Sequence, residues 1–68
     1  PRIMFVGHIH GDEMISREIL LRLIVYLCDQ YSRDDYVNEA LHKMHIYIIP
    51  SVNVDGARPA SLGDCNTG

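Results

Sequence analysis

Two short apolar runs without polar alternation, Ile3-Met4-Phe5-Val6 and Ile46-Tyr47-Ile48-Ile49, flank a long amphipathic stretch. Such runs are the mark of strands buried on both faces rather than edge strands. Gly7 closes the first; Pro50, which cannot donate to a central ladder, closes the second. Between them Ile19, Leu20, Leu23, Ile24, Leu27, Cys28 and Tyr31 recur at three- and four-residue steps, which predicts a helix from about Ile15 to Tyr31. Asp12 is the expected cap, with Glu13 in the first turn facing the positive end of the helix dipole. Ser32 to Asp35 is turn material, and Tyr36, Val37, Ala40, Leu41 and Met44 predict a second, shorter helix capped by Asp34 or Ser32. Strand, helical crossover and strand of this length make a right-handed, parallel βαβ unit of an α/β fold. Parallel strands require helices on both sheet faces, and one crossover covers a single face. The expectation is therefore a piece of a larger α/β domain.

Composition narrows the function classes. The net charge of the 68 residues is −3, and the six Lys and Arg are scattered singly, which argues against a nucleic-acid face built on clustered cations. Two cysteines, Cys28 and Cys65, allow one bridge and compel none. No apolar run approaches the roughly 20 residues that cross a bilayer. The opening Pro1-Arg2-Ile3 lacks an initiator Met and a signal-peptide pattern, and Leu62 to Gly68 is turn chemistry with no following element. Both ends read as cut from a longer chain.

Polar groups gather at the carboxyl end of the first strand, in His8-Ile9-His10-Gly11-Asp12-Glu13. In open α/β sheets that end is where ligands bind. Two assignments are open. In the first, His10 and Glu13, three apart at the strand-to-helix turn, offer an imidazole nitrogen and a carboxylate to a borderline metal such as zinc. A catalytic zinc has three protein ligands, so a third would come from elsewhere. In the second, the strand continues and the period-two spacing of His8, His10 and Asp12 places them on one face, as in an H-x-H-x-D metallohydrolase. His42 and His45 lie at the end of the short helix, where a cation suits the dipole, and are read as structural. Cys28, on the apolar helix stripe, is read as a core thiol. Asn53, Asp55 and Gly56 after the second strand are what a turn held by its own side chains contains.

Taken together, Val6-Gly7-His8-Ile9-His10-Gly11-Asp12-Glu13, the helix from Arg17-Glu18-Ile19-Leu20-Leu21 to Tyr26-Leu27-Cys28, and Ile48-Ile49-Pro50-Ser51-Val52-Asn53-Val54-Asp55-Gly56 resemble the zinc metallocarboxypeptidases. Within that family the likeness is to the regulatory group that includes carboxypeptidases D, E, N and M. The resemblance runs along essentially the whole chain in the expected order. It implies that residues 1–68 are an early, incomplete part of one catalytic domain, with a mixed sheet between helices on both faces.

The resemblance further implies one Zn2+ held by His10 and Glu13 with a later His, and hydrolysis of the last peptide bond of peptides or proteins at their C-termini, in the narrower group releasing basic residues. The third ligand, the general-base glutamate and the substrate-carboxylate arginine would lie beyond Gly68, so no catalytic residue is assigned within the chain. A secreted, secretory-pathway or cell-surface location is implied in the same way. Some relatives have lost catalytic residues, so a carboxypeptidase-like binding module is the alternative. His8 stands where relatives commonly have Asn, Val54 replaces a common Pro, and Ala57 a common aromatic.

Overall fold

A computed structural model describes residues 1–63 and carries the elements in the order strand, helix, helix, strand, helix. Cys65 and the other residues from 64 to 68 lie outside the described residues. β1 (Arg2–Val6) and β2 (His45–Ile49) pair in parallel, Arg2 opposite His45 through Val6 opposite Ile49. The crossover between them is α1 (Ile15–Gln30) followed by α2 (Asp35–Lys43). A one-turn helix, α3 (Val54–Ala57), follows β2. This is the βαβ unit read from the two apolar runs.

The helices begin for different reasons. α2 is capped as the turn chemistry suggests, with the Asp34 side chain accepting from the Val37 N–H at 3.0 Å. Ser32, the other candidate cap, instead turns the chain with φ +70°, and its N–H donates to Asn38 Oδ1 at 2.7 Å. α1 corrects the expectation about its start. Its N-cap is Met14, no side chain caps it, and the acidic residue of its first turn is Glu18. Asp12 and Glu13 therefore precede the helix in a separate turn, where the Glu13 N–H donates to the His10 carbonyl at 3.0 Å.

Helix α1 turns Leu20 inward; it and Val37 of α2 are the buried apolar side chains among the described residues. All five residues of β1 are exposed, Met4 by 58%, although the run itself has interior-strand composition. Cys28 is likewise exposed rather than in a core, on an apolar groove of about 370 Å³ between α1, α2 and β2. His45 belongs to β2, not to the end of α2. His42 is structural as read: its Nδ1–H donates to the Asn38 carbonyl at 2.6 Å and its ring stacks on Tyr31. The Cα radius of gyration is 14.6 Å, against about 11 Å for a compact domain of this length. Among the described residues, two strands and their crossover thus make a layer without a closed core.

Candidate metal centre

The parallel ladder does not stop at the strand ends. The Gly7 N–H donates to the Ile49 carbonyl at 2.9 Å, Val52 N–H to the Gly7 carbonyl at 3.2 Å, and Asn53 N–H to the His8 carbonyl at 3.1 Å. The segment after β1 and the segment after β2 therefore leave the sheet side by side at its carboxyl edge. Asn53 caps α3, its side chain accepting from the Gly56 N–H at 3.0 Å. The self-bonded turn expected of Asn53, Asp55 and Gly56 closes in this way.

The first loop then tightens. His10 and Glu13 are the ends of one hydrogen-bonded turn, and their side chains converge, with His10 Nδ1 3.1 Å from Glu13 Oε2. A carboxylate only accepts, so Nδ1 carries the proton between them. Both side chains are more than half exposed and open to a ligand. Two donors each about 2.0–2.2 Å from a tetrahedral zinc ion sit roughly 3.3 Å apart. The observed separation is close to that, and an imidazole with a carboxylate is a donor set zinc takes. The pair fits the ion. No group of three or more His, Cys, Asp or Glu suited to a metal occurs among the described residues.

His8 does not join them. β1 ends at Val6, so no period-two face runs through His8, His10 and Asp12. The His8 ring is fully buried, with Nε2 2.8 Å from the Gly11 carbonyl oxygen and Nδ1 2.9 Å from Ser51 Oγ. With both nitrogens engaged it has no lone pair to offer a metal, which removes the geometric basis of an H-x-H-x-D site. The buried role of His8, and its partner Ser51, are what sequence reasoning missed. The two are 43 positions apart, and no local spacing signals the contact.

A zinc carboxypeptidase family model matches residues 1–65. The chain is 39% identical over 64 residues to carboxypeptidase D of Homo sapiens, covering 94% of this chain and 5% of that protein. It is 41% identical over 56 residues to carboxypeptidase SOL1 of Arabidopsis thaliana, covering 82% of this chain and 11% of that one. To carboxypeptidase M of Mus musculus it is 38% identical over 65 residues, covering 96% and 15%. The chain thus spans no more than 15% of the length of these relatives. No solved structure matches it significantly.

Proposed function

The chain belongs to the zinc carboxypeptidase family, and from that premise we propose that it contributes two zinc ligands, His10 and Glu13, to an enzyme that hydrolyses the C-terminal peptide bond of peptides or proteins. The observation that carries the reading is the 3.1 Å approach of His10 Nδ1 to Glu13 Oε2 at the sheet edge where such folds bind ligands. Zinc bound there supplies Lewis acidity toward a carbonyl oxygen and a water that is nucleophilic at neutral pH.

The residues of this chain have defined tasks in that reading. Glu13 binds as a carboxylate and His10 as a neutral imidazole, since metal ligands must be deprotonated at the coordinating atom. With zinc bound, His10 would present the Nδ1 lone pair and the neutral ring would carry its single proton on Nε2. Gly11 and Asp12 form the middle of the turn and set the span between the two donors. The third ligand, the general base and the arginine that selects a free C-terminus belong to the rest of the enzyme. Release of basic residues and a secretory or cell-surface location complete the proposal, on the strength of the resemblance to the D, M and N group. Among the described residues no helix is long and apolar enough to cross a membrane.

The test is zinc content and C-terminal amino-acid release by the full-length protein that carries this segment. One equivalent of zinc, lost together with activity in His10→Ala and Glu13→Ala, is the expected result. A full-length protein that holds no zinc with both residues intact would sink the reading. Zinc without turnover would leave the metal assignment standing and favour the binding-module alternative.

A further inference from the structure

The turn that carries His10 and Glu13 lies between β1 and α1 and belongs to neither. Something else has to hold it. In a four-residue turn the orientation of the central peptide decides the turn type, and with it how the end residues are aimed. Here the central peptide is the one between Gly11 and Asp12, and its carbonyl accepts a hydrogen bond from the His8 ring at 2.8 Å. A carbonyl oxygen cannot donate, so Nε2 bears the proton, and in the neutral ring Nδ1 accepts from the Ser51 hydroxyl at 2.9 Å. The backbone of His8 is tied as well, its N–H donating to Ser16 Oγ in α1 at 2.8 Å.

These contacts are more than filling. His8 is 1% exposed and sits at φ +56°, in the left-handed region that side-chain-bearing residues avoid. An apolar side chain of like volume would occupy the same space while leaving the Gly11 carbonyl and the Ser51 hydroxyl without these partners. Asp12 does not have positive φ, so the turn is not of the flipped, type II kind. The ring holds the unflipped form, and through Ser51 it references that form to the end of β2.

We propose that His8 is a positioning residue for the metal pair, fixing the central peptide of the His10–Glu13 turn against Ser51 so that the two donors converge. The inference rests on the reading of His10 and Glu13 as ligands. His8 itself touches neither metal nor substrate.

The experiment uses the full-length protein in four forms: wild type, His8→Ala, His8→Asn and Ser51→Ala. Ring ¹⁵N NMR of the metal-free wild type should show His8 with its proton on Nε2. Zinc affinity, by chelator competition, should fall about tenfold or more in His8→Ala and less in Ser51→Ala. His8→Asn, whose amide can still donate to the Gly11 carbonyl, should recover part of the loss. The visible spectrum of the Co2+-substituted protein should change with the affinity while far-UV circular dichroism does not. A purely structural role would lower thermal stability and leave the affinity and the Co2+ spectrum where they were; that result would overturn the proposal. A His8 proton on Nδ1 in the wild type would overturn it independently of any variant. Absence of zinc from the wild type would overturn the ligand reading, and this proposal with it.

Discussion

Gly11 packs directly on Gly56, so closely that a Cβ built on Gly11 would overlap the Gly56 carbonyl group and crowd the Ala57 nitrogen. The obstacle is backbone, which cannot swing aside as a long side chain can. A backbone-to-backbone contact of this kind seats the turn that carries His10 and Glu13 on the short helix after β2.

Gly11→Ala should therefore push the two loops apart. The expected cost is about 1–3 kcal/mol, the range for forcing an extra methyl into packed structure. Urea unfolding of the full-length protein measures it. An unchanged midpoint would mean that the two loops have room to separate.

Glu13→Ala should remove zinc without touching the helix. α1 begins at Ile15 with Met14 as N-cap and takes no hydrogen bond from a capping side chain. Metal analysis and far-UV circular dichroism on one sample check both halves. A loss of helix with zinc retained would reverse the assignment.

Asp34→Ala should destabilise by about 1 kcal/mol, the usual loss when an N-cap carboxylate no longer accepts from the first turn. The bond at stake runs from the Val37 N–H to Asp34 Oδ1. Asp34→Asn or Asp34→Ser should restore most of it, and thermal melts of the three variants distinguish capping from a charge effect.

Residues 1–68 produced alone should show neither a cooperative thermal transition nor peptidase activity. Only Leu20 and Val37 are buried apolar side chains among the described residues, and the His10–Glu13 pair offers two donors where a catalytic zinc takes three protein ligands. Calorimetry and a C-terminal release assay test this, and a sharp transition with turnover would refute it.

The parts of the fold that were legible are those set by local pattern. The β-branched run at Ile46–Ile49 and the three- and four-step recurrence from Ile19 to Leu27 each fix an element and its type. The cap at Asp34 followed from turn chemistry in the same way. The start of α1 was misread because Asp12 and Glu13 look like a cap and a first turn, while the His10–Glu13 turn claims them first. The convergence of His10 and Glu13 was legible because the two are three residues apart, within reach of a single turn. His8 was not, because its meaning lies in Ser51 across the sheet edge, and an imidazole beside two metal-type residues reads as another ligand until both its nitrogens are seen to be engaged. Cys28 was misread for the opposite reason. Its stripe is apolar, but in this layer the stripe faces a groove rather than a filled interior.

The bare flank of β1 has a consequence for handling the molecule. A two-stranded parallel ladder leaves each strand one row of backbone donors and acceptors unused by its partner. Beside that row stand Ile3, Met4, Phe5 and Val6, all solvent-facing. Until those groups are covered, any passing extended segment can zip onto them, a second molecule included. Self-templated clumping is then a failure to guard against, alongside the weak core, when residues 1–68 are prepared alone.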